Sequence, residues 1–159
     1  MIDATANALR PRPDPSPLTE PFWAAAAERR LVRPYCAACD QSFFTPQIAC
    51  PRCLSTEWEY RESSGRGTVY SATVVHRAPY PGFTSPYHVA IVDLDEGWQM
   101  LSNIVADDDA DAASGTPVPI GTRVAVDWLP LDERIVLPVF RADATSTTET
   151  TTTEEQGPA

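Results

Sequence analysis

The sequence predicts a mainly β protein in which a short N-terminal helix and a small cysteine-rich ribbon precede a five-stranded barrel. Three observations support this fold class. All four cysteines are confined to residues 36–53. Five runs rich in β-branched and aromatic residues follow between residues 67 and 140, with no segment of helical period between them. Sixteen prolines against seven glycines favour many connections and few long helices.

The chain before the cysteines divides into a lead-in and a helix. Residues 1–17 contain the stretch PRPDPSP and are expected to be disordered or extended. Residues 18–31 predict a short helix, because they contain a run of alanines, which have the best helix propensity. Thr19 offers an N-cap hydroxyl, and Pro21 fits in the first turn, where its missing N–H costs little.

The cysteines form two CxxC pairs within a predicted ribbon at residues 32–61. Cys36 and Cys39 make the first pair, and Cys50 and Cys53 make the second after ten intervening residues. This spacing places four thiolates at the corners of a tetrahedron, the geometry that zinc prefers in closed structural sites. Four sulfur ligands leave no open position for a reactive water. The sequence therefore predicts one structural zinc ion and no zinc catalysis.

The alternatives for these cysteines are iron in a rubredoxin-like site, or two disulfides. For the zinc ribbon, the ten residues between the two CxxC pairs are long enough for a hairpin that returns the chain. We expect Phe43, Phe44 and Ile48 in that hairpin to pack beside the metal. A ribbon of this size is too small for a core of its own, so metal binding would supply its folding free energy.

Residues 62–143 predict the barrel, and residues 144–159 predict a disordered tail. Five short strands in sequence are usually arranged as an OB-type barrel, with an SH3-like barrel as the main competitor. The Thr- and Glu-rich tail has almost no apolar side chain to offset the entropy lost on ordering. The five predicted strands are GTVYSATVVH, PYHVAIVDL, WQMLSNIV, RVAVDWL and RIVLPVF.

The formal net charge of −10 argues against a nucleic-acid partner. All twelve basic residues are arginines, and they form no basic stripe of the kind that displaces counterions from phosphates. No apolar run is long enough to span a membrane, and the N-terminus does not resemble a secretory signal. We therefore expect a cytoplasmic protein. Seven of the acidic residues lie in two polar runs, Asp107, Asp108, Asp109 and Asp111, then Glu149, Glu154 and Glu155.

Several pieces of the chain, in order, resemble one known family. They are PFWAAAAERRLV, CAACDQSFFTPQIACPRC, GRGTVYSATVVH, SPYHVAIVDLDEGWQMLSNIV and IGTRVAVDWLPLDERIVLPVFRA. Together they resemble the acyl-CoA-associated OB-fold family with a rubredoxin-like zinc ribbon, formerly domain of unknown function thirty-five. One departure is Asp40, where family members often have glycine after the second cysteine. Aspartate tolerates the left-handed region better than most residues.

The resemblance implies a noncatalytic accessory subunit. Its expected partner is a thiolase-fold or lipid-transfer-protein-like enzyme that makes or breaks carbon–carbon bonds in acyl-CoA substrates, for example in steroid side-chain degradation. The partner would carry the chemistry, and acyl-CoA could lie at the shared interface. Two other classes stay open from the residues alone: a single-stranded nucleic-acid-binding module, and a rubredoxin-like electron carrier.

No constellation of residues in the sequence points to catalysis. His76 and His88 are the only histidines, and each is expected to be an exposed or hydrogen-bonded strand residue. Asp93, Asp95 and Glu96 are expected to form a solvated turn, since paired carboxylates act as acid and base only inside a pocket that shifts a pKa.

One loop is a candidate partner or ligand face. Residues 78–87, APYPGFTSPY, carry Tyr80, Phe83 and Tyr87 among three prolines. Stiff aromatic loops suit interfaces because little entropy is lost when they are buried. The alternative is that these rings fold back onto their own barrel.

Overall fold

A computed structural model describes residues 9–105 and 115–143. The helix α1 spans Glu20–Ala27. Three ribbon strands follow: β1 (Val32–Cys36), β2 (Gln41–Ser42) and β3 (Glu59–Glu62). Five longer strands complete the fold: β4 (Arg66–Val75), β5 (Tyr87–Leu94), β6 (Trp98–Ile104), β7 (Arg123–Pro130) and β8 (Val136–Ala142).

The strands form two separate sheets. In the ribbon, β1 lies between β2 and β3 and pairs antiparallel with both. The longer strands close into a barrel in the order β4-β5-β6-β8-β7, with β7 pairing back onto β4. Only the contact between β6 and β8 is parallel among these pairs. The fold is therefore a zinc-ribbon domain followed by a five-stranded OB barrel, and the predicted fold class is confirmed.

Alternation along the barrel strands explains which residues fill its interior. In β5, His88, Ala90, Val92 and Leu94 are buried, whereas the residues between them are half-buried or exposed. Gly65 allows the chain to enter the barrel, since its φ of +71° lies in the left-handed region and a Cβ there would collide with Val126.

A single core joins the helix and the ribbon to the barrel. Phe22 of α1 and Val32 of β1 belong to the same buried cluster as Trp98 and Phe140 of the barrel. Phe44 lies between them, with its ring 5.4 Å from the rings of both Phe22 and Trp98. Helix and ribbon therefore cover one end of the barrel.

The helix is shorter than the predicted span of residues 18–31. It ends at Ala27, and Arg29 then adopts a φ of +60° that turns the chain toward β1. Thr19 occupies the N-cap position, but its hydroxyl makes no capping bond. It accepts a hydrogen bond from the Ser16 N–H at 3.0 Å instead. The helix is stabilised by burial of Phe22 and Ala25 rather than by its cap.

The lead-in differs from a disordered segment over residues 9–17. Gly82 lies so close to the backbone of Leu9 and Arg10 that a Cβ on it would collide with them. Arg12 also pairs with Asp132. The expectations for residues 1–8, for the acidic run and for the tail lie outside the described residues. Among the described helices, none is long and apolar enough to cross a membrane.

Candidate functional site

The ribbon brings the four cysteine sulfurs together. Cys36 ends β1, and its pairing with Gln41 turns the chain so that Cys39 faces the same point. Cys50 and Cys53 approach from the second turn. The Sγ atoms of Cys36 and Cys53 are 3.6 Å apart, as are those of Cys39 and Cys50, and all four lie within 4.8 Å of one another.

This donor set fits one zinc ion. Tetrahedral Zn–S bonds of about 2.3 Å place sulfurs roughly 3.8 Å apart, close to the observed distances. A disulfide would require about 2.05 Å, so the cysteines are not paired as disulfides. Cys36 and Cys50 are fully buried. Four thiolates fill a tetrahedral shell, so the site is structural and the predicted cofactor is confirmed.

Each CxxC turn ends on a residue in the left-handed region. Asp40 follows Cys39 with a φ of +54°, and Leu54 follows Cys53 with a φ of +62°. The Asp40 carboxylate accepts a hydrogen bond of 2.5 Å from the Tyr35 hydroxyl, which holds the first turn. The second turn is held by its backbone, since the Leu54 N–H donates to the Cys50 carbonyl at 2.9 Å.

The thiols experience unequal electrostatic environments. Backbone N–H groups of Cys53 and Arg52 lower the pKa of Cys50 to about 7. Burial and then the neighbouring thiols raise the pKa of Cys39 to about 12. Arg52 thus acts on the site through its backbone. The side chain of Arg33, a second arginine near the site in sequence, donates hydrogen bonds to the Ser42 hydroxyl at 2.8 Å and to the Glu62 carbonyl.

Only one of the three residues expected beside the metal is there. Phe43 packs against Cys36 and Cys50 and makes an edge contact with Trp58 at 5.5 Å. Phe44 turns to the opposite side and joins the barrel core. Ile48 is 80% exposed, so its predicted packing is wrong. The three lie in a short irregular segment, where no sequence period determines the direction of a side chain.

A polar network at the junction of ribbon and barrel was missed by sequence reasoning. The Glu96 carboxylate accepts from the Ser63 hydroxyl and from the Ser64 N–H, each at 2.6 Å. The Trp98 indole N–H donates to the Ser63 hydroxyl at 3.3 Å. Burial raises the pKa of Glu96, but these hydrogen bonds outweigh it, and the net pKa is lowered.

The turn that carries Glu96 is not simply solvated. Asp95 makes two hydrogen bonds with the Arg123 guanidinium, at 2.7 and 2.8 Å. These bonds lower the pKa of the Asp95 carboxyl. Asp93 accepts from the Gln99 amide at 2.7 Å. The three carboxylates connect structural elements, and none shares a pocket that would give it an acid–base role.

Of the two histidines, only His88 differs from the expected exposed or hydrogen-bonded position. His88 points into the barrel and is only 7% exposed, and its Nε2 has no hydrogen-bond partner within the part of the chain that the structure describes. Val74 and Ile104 are its strand neighbours, so neither flanking residue is a nucleophile or an acid. His76 is exposed.

The aromatic loop is partly folded onto the chain itself. Phe83 and Tyr87 stack with ring centroids 5.1 Å apart, and the Arg10 guanidinium lies 4.4 Å from the centre of the Phe83 ring. Tyr80 remains 55% exposed. Two of the three rings therefore contact this chain, and one faces solvent.

Two family profiles match consecutive parts of the chain. The rubredoxin-like zinc ribbon domain of ChsH2 matches residues 23–59, and the C-terminal OB-fold domain of ChsH2 matches residues 60–129. A solved structure described as "Ltp2-ChsH2(DUF35) aldolase" contains a chain that is 39% identical, with a TM-score of 0.70. The match covers 82% of this chain and 98% of that one.

Curated relatives are longer proteins. A probable enoyl-CoA hydratase alpha subunit of Thermomonospora curvata is 41% identical over 135 residues, which is 85% of this chain and 40% of the relative. The 3-oxo-4,17-pregnadiene-20-carboxyl-CoA hydratase alpha subunit of Mycobacterium tuberculosis is 39% identical over 120 residues, or 74% of this chain and 37% of the relative. The chain thus spans about two fifths of their length. With its four-cysteine site and closed barrel, the chain belongs to the ChsH2-type DUF35 family of zinc-ribbon OB-fold proteins.

Proposed function

We propose that this chain is a noncatalytic zinc-binding accessory subunit of an acyl-CoA-processing enzyme complex. The observation that carries the proposal is the near-complete coverage of the DUF35 chain in the solved Ltp2-ChsH2 aldolase, at 39% identity. We infer that this chain associates with an aldolase subunit of the Ltp2 type. The pregnadiene-carboxyl-CoA name of one relative supports steroid side-chain or related lipid degradation.

The four-cysteine site fits the role of a noncatalytic subunit. Zinc holds the ribbon, and the ribbon joins the helix to one end of the barrel. No described residues combine a nucleophile, a base and an orienting group. The partner, which we expect to have a thiolase fold, therefore supplies the chemistry. Acyl-CoA would bind to that partner or at the interface, and the cytoplasmic location remains a prediction.

Coexpression tests the proposal. The chain and the Ltp2-type aldolase subunit of the same organism are produced together, and each is also produced alone. We expect the two to copurify, and we expect retro-aldol cleavage of a steroid acyl-CoA only when both are present. Full activity of the aldolase alone, together with no copurification, would contradict the proposal.

The expected lack of nucleic-acid binding also remains a prediction. Fluorescence anisotropy with a labelled single-stranded oligonucleotide at low salt is the direct measurement. A saturable rise in anisotropy would favour the nucleic-acid-binding alternative.

A further inference from the structure

One surface of the barrel combines exposed apolar side chains with a lack of charge. On the outside of β4, β5 and β6, two successive rungs are formed by residues that pair across the three strands. Leu101 of β6, beside Ile91 of the central strand, is 68% exposed. We call these six residues the outer face: Thr73, Val89 and Asn103 in one rung, and Ser71, Ile91 and Leu101 in the other.

The absence of charge on the outer face contrasts with the next rung. There Asp93 pairs with Gln99 and is exposed. Outward positions of an antiparallel sheet that faces water are normally polar. A rung of Ile91 beside an exposed Leu101 is instead typical of the apolar centre of an interface.

A cation with unused hydrogen-bonding capacity borders the outer face. Arg10 of the lead-in donates a long hydrogen bond of 3.4 Å from Nη1 to the Asn103 side chain. Its Nε is buried and has no acceptor among the described residues. The guanidinium also lies over the Phe83 ring, and no ion pair among the described residues joins Arg10 to a carboxylate. Burial lowers the pKa of Arg10, which reflects the cost of holding this cation where it is.

We propose that the outer face is the docking surface for the enzyme subunit, which presents an apolar patch bordered by a carboxylate that pairs with Arg10. This inference rests on the proposed function. Charge complementarity selects the occupant, because a guanidinium with free donors is best matched by a carboxylate.

A second copy of this chain is a poorer occupant. Each chain carries a net charge of −10, so two copies repel each other. Asp93 lies in the rung next to the outer face, so a symmetric pairing would add two carboxylates to the edge of the interface. A different protein avoids both costs.

Single substitutions test the docking surface against the Ltp2-type aldolase subunit of the same organism. Leu101→Asp places a charge at the most exposed apolar residue of the outer face. Leu101 is exposed, so the fold should tolerate the change, and circular dichroism checks this. We expect the dissociation constant measured by calorimetry to rise at least about tenfold. The matched control is Ile120→Asp, which changes an equally exposed residue (74%) outside the outer face and should leave the constant within about twofold.

A second variant isolates the charge. Arg10→Gln keeps much of the side-chain volume but removes the cation. We expect weaker binding and a smaller dependence of the dissociation constant on ionic strength, because an ion pair at the edge of an interface is screened by salt. An unchanged salt dependence would overturn the role of Arg10.

The outcomes separate the two proposals. Wild-type binding that Leu101→Asp leaves unchanged would overturn the docking surface and keep the proposed function. No binding of the wild-type chain would overturn the proposed function and the docking surface with it. A wild-type dimer that Leu101→Asp converts to a monomer in sedimentation would show that a second copy covers the outer face, which overturns the choice of partner.

Discussion

The ribbon and the barrel are held together by different forces. The barrel has a continuous apolar core that includes Val69, Val92 and Phe140, and its strands close on each other. The metal site of the ribbon has a small separate cluster of Cys36, Phe43 and Cys50, with Cys39 and Trp58 beside it, whereas Val32 joins the barrel core. Burial of about 25 cal/mol per Å² of apolar surface can support the first but not the second. We therefore expect the metal site of the ribbon to depend on zinc and the barrel to be stable without it.

Removing zinc should produce the largest difference between the two regions. In Cys36→Ser/Cys50→Ser the two buried ligands are lost, and the binding free energy that folds the ribbon is lost with them, on the order of 10 kcal/mol for such sites. We expect elemental analysis to fall from one zinc per chain to none. Hydrogen exchange should become fast over residues 32–62 while the barrel strands stay protected.

The matched control is Ile48→Ser, which changes an exposed ribbon residue that is no ligand and should retain the metal. Unchanged protection of residues 32–62 in the metal-free variant would show that the ribbon does not depend on zinc. A red protein containing iron would instead identify the metal as iron.

Two neighbouring phenylalanines allow the regions to be disturbed one at a time. Phe44→Ala removes a ring that joins Phe22 to Trp98, and should lower the free energy of unfolding of the barrel by roughly 2–4 kcal/mol. Phe43→Ala removes a ring beside the sulfurs, and should speed zinc loss to a chelator with little effect on the barrel. Urea unfolding and chelator kinetics measure the two effects. Equal effects of both variants on both measurements would mean that the two regions form one cooperative unit.

The hydrogen bonds of Glu96 join the two regions and should have an intermediate effect. Glu96→Ala leaves the Ser64 N–H without its acceptor and the Ser63 hydroxyl without its carboxylate partner, which should cost about 1–3 kcal/mol of unfolding free energy. Glu133→Ala, at an exposed position, is the control. A loss no greater than that of the control would show that water replaces these bonds.

The same carboxylate gives a pH dependence. Its pKa is lower in the folded state than in the unfolded chain, so its stabilisation is present above the unfolded pKa of about 4.3 and is lost as the pH falls through the lower folded value. The free energy of unfolding of Glu96→Gln should therefore fall less steeply than that of the wild type as the pH drops below about 4.3. A decline identical to that of the wild type would assign the acid sensitivity to other groups.

The sequence was sufficient for features that local patterns determine. The CxxC spacing predicted the four cysteines that the structure brings together, because two residues between cysteines place both sulfurs on one turn. Runs rich in β-branched and aromatic residues identified the five barrel strands to within a few residues at each end.

Features that depend on distant contacts were missed. His88 occupies an inward position of β5 that usually carries an apolar residue. Because histidine is polar, the sequence predicted an exposed or hydrogen-bonded side chain there. Glu96 finds its partners at Ser63 and Ser64, more than thirty residues earlier in the chain. The lead-in gains order from Gly82 and Asp132, which no local pattern of residues 9–17 could reveal.

The smallest effects on the free energy of unfolding are expected from glycine substitutions at the ends of the two CxxC turns. Leu54 holds a φ of +62° and is 76% exposed, so its side chain offsets little of the roughly 1–2 kcal/mol that the left-handed region costs. Leu54→Gly should raise the free energy of unfolding by about 0.5–1 kcal/mol, since the greater entropy of glycine in the unfolded chain cancels part of the gain. Asp40→Gly should gain less or lose stability, because it removes the hydrogen bond from Tyr35. Denaturation of the zinc-loaded variants measures both. A larger gain at Asp40 than at Leu54 would mean that the Tyr35 hydrogen bond contributes nothing and that backbone strain alone distinguishes the turns.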